Sequence, residues 1–182
     1  MRCLLTFLLC FMTLLPALAQ DLPVLTPDGL EEFKLGAAPP EQSTFDGLTA
    51  QRVETTEWQE GEEYRITLLK FYLNGHYLGK GRLEEGKLAE ITVVDPKVRY
   101  EGGFAVGSTW DEIQRVFPGP QLHFTYVTDR LFAGSEYQDG VQVNFSKEDY
   151  VGSEELRGEF QNLKEETLRP EAKATSIRVY KP

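Results

Sequence analysis

Tyr64-Arg65-Ile66-Thr67-Leu68-Leu69-Lys70-Phe71-Tyr72-Leu73-Asn74-Gly75-His76-Tyr77-Leu78-Gly79-Lys80-Gly81-Arg82-Leu83 is the stretch whose reading decides the fold. Asn74-Gly75 sits between two runs rich in aromatic and branched residues. Both residues tolerate positive φ, which a two-residue hairpin turn of the right twist requires. That turn sets Leu73 opposite His76 and Tyr72 opposite Tyr77. Strict alternation then puts Tyr64, Ile66, Leu68, Tyr72, Tyr77, Gly79, Gly81 and Leu83 on one face. Arg65, Thr67, Leu69, Phe71, Leu78, Lys80 and Arg82 fall on the other. The following loop, Glu84-Glu85-Gly86, suits a three-residue turn, which brings Ala89, Ile91 and Val93 onto the first face and sets Glu90 opposite Lys80. A two-residue loop would bury Glu90 and Thr92 instead, so the first register is preferred. The Gly79 and Gly81 face is then the core, and the glycines leave room for a helix across the sheet.

Working outward, this hairpin belongs to a longer pattern that recurs. Phe33-Lys34-Leu35-Gly36 and Phe104-Ala105-Val106-Gly107 each follow a Gly-bearing turn and open a segment able to start a helix. In the second copy Ser108 or Thr109 can cap, Asp111 and Glu112 fill the first turn, and Ile113, Val116 and Phe117 form an apolar stripe. Pro118-Gly119-Pro120 ends it. In the first copy Pro39-Pro40-Glu41-Gln42 offers a weaker start that ends near Asp46-Gly47. Strands follow each helix: 52–58, 64–73, 76–83 and 88–95, then 121–127, 131–137, 141–146 and 175–180. The expected fold is therefore α+β, two tandem helix-plus-antiparallel-meander repeats in one sheet-dominated domain. Its parts are an N-terminal tail at 20–32, repeat 1 at 33–100, and repeat 2 at 101–182 with a polar, glutamate-rich insertion at 147–173.

Residues 1–19 read differently from the rest. Met1-Arg2 gives a positive start, Leu4 to Leu15 is apolar apart from Thr6 and Thr13, and Ala17-Leu18-Ala19 after Pro16 supplies a small-x-small cleavage site. These are the parts of a secretory signal, and the run is too short to span a bilayer. Both cysteines, Cys3 and Cys10, lie within it, so the expected mature chain holds no disulfide, thiolate nucleophile or cysteine metal site. Removing Arg2 leaves 18 Lys and Arg against 29 Asp and Glu, a formal charge of −11. That excess argues against nucleic acid and broad anionic membrane surfaces as partners. The expected location is periplasmic or secreted, without a membrane-spanning segment.

No grouping expected of an enzyme emerges. The two histidines, His76 and His123, have no metal-ligand spacing, and neither a nucleophile elbow nor a phosphate-binding glycine loop occurs. No metal or cofactor is expected. Paired carboxylates acting as a hydrolase remain the weakest alternative, since 29 acids guarantee some close pair. Two surfaces offer themselves for binding. Arg65, Leu69, Phe71, Lys80 and Arg82 mix cations with large apolar groups along the hairpin. A second, aromatic set comprises Trp58, Trp110, Phe124, Tyr126, Phe132 and Tyr137, most of which period-two alternation assigns to the core.

Gly103-Phe104-Ala105-Val106-Gly107-Ser108-Thr109-Trp110-Asp111-Glu112-Ile113 resembles the repeat of β-lactamase-inhibitor-protein-like domains and of small outer-membrane lipoproteins of the SmpA/OmlA type. The resemblance extends over 33–180 and implies an α+β fold with a protein-binding sheet surface. The lipid-bearing cysteine of the lipoproteins and the disulfides of the inhibitor are missing, so anchoring and β-lactamase inhibition are not implied. The reading that results is an exported, non-catalytic interaction module for a protein of the envelope or secreted space. The alternative is a carrier of a small apolar ligand held between sheet and helices. Signal cleavage after Ala19 predicts that N-terminal sequencing of the exported protein begins at Gln20; a retained Met1 refutes it.

Overall fold

The computed structural model describes residues 21–59, 61–125, 130–135, 139–153 and 163–181. The signal reading at 1–19, Tyr126, Tyr137 and residues 154–162 of the expected insertion lie outside the described residues. The strands are β1 (Val24–Thr26), β2 (Gly29–Leu30), β3 (Phe33–Lys34), β4 (Leu48–Gln59), β5 (Glu62–Leu73), β6 (His76–Glu84), β7 (Lys87–Val93) and β8 (Arg99–Tyr100). After the short helix α1 (Trp110–Gln114) come β9 (Pro120–Thr125), β10 (Arg130–Ser135), β11 (Val141–Phe145) and β12 (Ser176–Tyr180). They assemble into two sheets, a small one ordered β3-β2-β1-β8 and an eight-stranded one ordered β4-β5-β6-β7-β12-β11-β10-β9.

This overturns the α+β expectation of helices laid across meanders. The protein is mostly β, and α1 is five residues long. Its start follows the sequence: the Thr109 hydroxyl accepts from Glu112 N–H at 3.4 Å while the Glu112 carboxylate accepts from Thr109 N–H at 2.8 Å. The expected first helix does not form. Ser43 Oγ accepts from Phe45 N–H at 3.1 Å and Glu32 Oε1 accepts from Thr44 N–H at 2.6 Å, so side chains capture the amides a helix would need. Pro39 and Pro40 bring no amides at all.

The small sheet supplies much of the covering layer. Residues 20–32, expected to be a tail, instead contribute β1 and β2, with Leu25 and Leu30 fully buried. Phe33 of β3 meets Phe71 of β5 edge-on at 5.1 Å between ring centroids. Around β8 and α1, Tyr100, Phe104 and Phe117 form a three-ring cluster, and Trp110 packs on Phe145 at 5.9 Å. The described flanks of the insertion also return to the core. Tyr150, Leu168, Ala172 and Ala174 are buried, and Val151 N–H donates to Thr167 O while Arg169 N–H donates to Asp149 O. Among the described residues no helix is long and apolar enough to cross a membrane.

The hairpin keeps its turn but not its simple alternation. Asn74 and Gly75 have φ of 52° and 80°, and Leu73 pairs with His76 and Tyr72 with Tyr77. Beyond that point the register shifts, so that Phe71 pairs with Gly79 and Leu69 with Gly81. Leu78 is the extra residue, a β-bulge, and it is fully buried. The next connection is a two-residue turn, Glu85-Gly86, with φ of 50° and 77°, and a second bulge between Arg82 and Leu83 restores the parity that a three-residue loop would have given. Ile91 and Val93 therefore reach the core beside Gly81 and Gly79, but Glu90 stands opposite Arg82 rather than Lys80.

Gly36 and Gly107 hold matching positions. Gly36 N–H donates to Leu88 O at 2.7 Å and Leu88 N–H donates to Ala37 O at 2.9 Å. Gly107 N–H donates to Ala174 O at 2.8 Å and Ala174 N–H to Ser108 O at 2.9 Å. Leu88 lies in β7 and Ala174 just precedes β12, the two strands that join the halves of the large sheet.

Gly79 is the tightest backbone contact in that sheet. A Cβ there would lie 2.2 Å from Thr92 O and 2.8 Å from Val93 Cα, both backbone atoms that cannot step aside. Gly79→Ala is expected to cost about 2–3 kcal/mol in urea unfolding. Gly134→Ala, whose Cβ would meet only the His123 ring at 3.7 Å, is expected to cost well under half of that. Equal costs for the two variants would show that the β6–β7 approach is looser than described.

Candidate functional site

One face of the eight-stranded sheet packs into the core, and the pleat sends alternate side chains to the other face. On that outer face β5 presents Lys70 and Tyr72, β6 presents Tyr77, Lys80 and Arg82, and β7 presents Glu90 and Thr92. Across the β7–β12 seam, Thr92 pairs with Arg178, Arg178 with Gln142, Asn144 with Ser176, Asn144 with Phe132, and Phe132 with His123. These side chains are half-buried or exposed, whereas the intervening Leu69, Phe71, Ile91, Val143, Ile177 and Val179 are at most 4 % exposed.

A depression of about 500 Å³ opens on this face, lined in part by Lys80, Arg82, Glu90, Arg130, Asn144 and Arg178. Arg178 is fully engaged. It forms a two-point ion pair with Glu90, through Nε at 2.9 Å and through Nη2, donates to Gln142 Oε1 at 3.2 Å, and lies 4.6 Å over the Tyr180 ring. Arg82 is more loosely held, 3.7 Å from Glu57 and 3.5 Å from Glu84, and its Nε is buried without a hydrogen bond. Asn144 donates to Ser176 Oγ at 3.0 Å, but its Oδ1 is buried with no donor. Among the described residues neither Lys80 nor Arg130 has a carboxylate within ion-pair distance.

The aromatic groups on this face are paired. Tyr72 and Tyr77 meet edge-on at 5.7 Å, and His123 stacks on Phe132 at 5.2 Å. Burial pushes the Tyr77 hydroxyl pKa upward, with the neighbouring Tyr72 adding to the shift. Burial pulls His123 below the usual imidazole value, so it is neutral at pH 7 and contributes an aromatic surface rather than a charge.

The residues singled out in the sequence end up in three places. Leu69, Phe71, Trp110 and Phe124 are core residues. Lys80 and Arg82 reach the outer face. Arg65 and Trp58 lie on a two-stranded ribbon where β4 and β5 run past the last β5–β6 pair, Thr67 with Leu83. Trp58 is 70 % exposed there, on the same side as Arg65, because Thr56 is the partner of Arg65 and Trp58 is two residues on. The bulge at Leu78 is what separates Leu69 and Phe71 from Lys80 and Arg82. Lys70, Arg130, Arg178 and the Tyr72–Tyr77 pair were not singled out. Lys70 is legible once the bulge is known, but Arg130 and Arg178 join the face only through the β7–β12 pairing, which no local signal encodes.

No metal-like cluster of three or more His, Cys, Asp or Glu side chains occurs among the described residues. No family model matches the sequence, and no curated protein matches it. Among solved structures the chain is similar to the uncharacterized protein yfeY from Escherichia coli, with a TM-score of 0.55 at 15 % identity, over 86 % of this chain and 99 % of that one. At this identity the likeness is one of fold alone.

Proposed function

We propose that the mature chain is an exported, non-catalytic binding module that docks a protein partner of the envelope or secreted space on the outer face of its large sheet. The observation that carries this reading is the one-sidedness of the eight-stranded sheet. One face is sealed by the small sheet, α1 and the segment leading to β12, while the other carries aromatic pairs and cations with no layer of the chain described over it. Interfaces draw their energy from such half-exposed Tyr and Arg anchors rather than from total area. The resemblance of Gly103–Ile113 to inhibitor-protein-like and SmpA/OmlA-like domains supports a sheet-face docking mode, and the leader-like residues 1–19 support export. The matched settings of Gly36 and Gly107 support a duplicated origin for the two meanders.

A carrier of a small apolar ligand is less well supported, because the depression on the outer face is lined by charged and amide side chains. The docking reading is tested by affinity capture from the native envelope. Tyr72→Ala combined with Tyr77→Ala is expected to reduce captured partner by about tenfold, the loss of one or two anchors of over 1 kcal/mol each. Val151→Ala, an exposed position outside the strands of the large sheet, is expected to leave capture unchanged. Capture that survives the double substitution, in a chain whose melting shows it folded, eliminates the outer face as the docking surface.

A further inference from the structure

Resting on the docking reading, we infer that the outer face recognises an extended acidic segment of its protein partner, with Lys70, Lys80 and Arg130 as the charge-reading residues. Lys70 and Lys80 are direct cross-strand partners. Like charges placed opposite one another on adjacent strands destabilise a sheet, and no acid of the described residues forms an ion pair with either. The chain as a whole carries ten more acids than bases, so carboxylates to relieve this pair were abundant in the composition. An unrelieved cationic pair in such a chain fits a site whose counter-charge arrives from outside.

Spacing points to an extended peptide rather than a small anion. Lys80 is on β6 and Arg130 on β10, four strand steps apart in the sheet order, which is about 19 Å measured across the strands alone. A small anion satisfies one end of such a row. A segment of about six extended residues crossing the strands reaches both ends. Between those ends, on β11, Asn144 Oδ1 is a buried acceptor without a hydrogen-bond donor. A peptide brings a backbone N–H to match it, which a small inorganic anion does not. Glu57 and Glu90 in the same depression repel carboxylates set beside them, so the favourable contacts of an acidic segment fall at Lys70, Lys80 and Arg130.

The probe is a fluorescently labelled hexaglutamate peptide titrated against the mature full chain by anisotropy, with hexaglutamine as the neutral control. Hexaglutamate is expected to bind, to weaken as ionic strength rises, and to lose at least about tenfold in affinity in Lys80→Glu with Arg130→Glu. Lys34→Glu, an exposed cation on the small sheet, is expected to bind like the native chain. Lys80→Glu should also melt no lower than the native chain, because it replaces a repulsive pair with an attractive one opposite Lys70. Absent binding, equal binding by the double variant, an equal loss in Lys34→Glu, or a lower melting temperature for Lys80→Glu each overturns the inference. The two readings fail separately. Hexaglutamate binding that needs Lys80, with capture indifferent to Tyr72 and Tyr77, removes the docking face as defined by its aromatics and keeps the acidic-segment site. Capture that needs the tyrosines but not Lys80 or Arg130 does the reverse.

Discussion

The bulged residue Leu78 is the constraint on which the arrangement of the large sheet depends. Without it, Tyr72 and Tyr77 would share a face with Gly79 and Gly81, and the core side of β5 would carry Lys70 and Tyr72 in place of Leu69, Phe71 and Leu73. Each of those three apolar side chains contributes about 2 kcal/mol when buried, and burying an unpaired Lys70 would cost several more. The bulge lets the turn satisfy Asn74-Gly75 and the core satisfy Phe71 at once. Those demands conflict under strict alternation, and packing wins because more free energy rides on it than on an unbroken ladder. The second shift, between Arg82 and Leu83, settles the same contest at the next turn, where Glu85-Gly86 takes the tight two-residue form and Ala89 is the additional residue.

The same arithmetic explains why a chain without sulfur bridges among its described residues can be so thoroughly sheet. Its eight-stranded sheet needs a cover on only one side, and the cover is assembled from pieces that are individually too short to persist alone. The two-residue strands β2, β3 and β8 and the five-residue α1 gain their order from Leu25, Leu30, Phe33, Tyr100 and Phe117 packing onto the sheet rather than from propensity. Gly36 and Gly107 tie this cover to β7 and to the entry of β12 by paired backbone bonds, at positive φ values of 76° and 90° that a side chain would strain.

Much of this is legible in the sequence, and what is not has a physical cause. Eight strand segments read from alternation and turn chemistry correspond closely to β4–β7 and β9–β12, since Asn-Gly, Glu-Gly and Asp-Gly turns are local signals. The cap of α1 is equally readable from Thr109 and Glu112. Residues 20–32 read as a tail because two-residue strands have no period to detect, and the first helix is expected where Pro39-Pro40 and Ser43 in fact hold the chain in bends. The candidate site suffers most. A single bulge reverses every side chain beyond it, so alternation groups Leu69 and Phe71 with Lys80 when they belong to the opposite side. Sequence spacing carries alternation but not bulges, which arise from tertiary packing.

The charge pattern of the outer face follows from where acids are absent rather than from where bases are dense. Glu90 and Arg178 neutralise one another at the seam, and Arg82 shares Glu57 and Glu84 at the margin, each arrangement being what a solvated sheet ordinarily does with its charges. Lys70 opposite Lys80 does not conform, and neither does Arg130 at the far side. In a protein of net charge −10 the field at these cations is softened by distant acids, which screening reduces to little beyond about 10 Å. Their mutual repulsion is local and is not relieved by that background. On the proposed reading, an acid in place of Lys80 would relieve this repulsion, and the stability forgone there is what an acidic-segment site costs the fold that carries it.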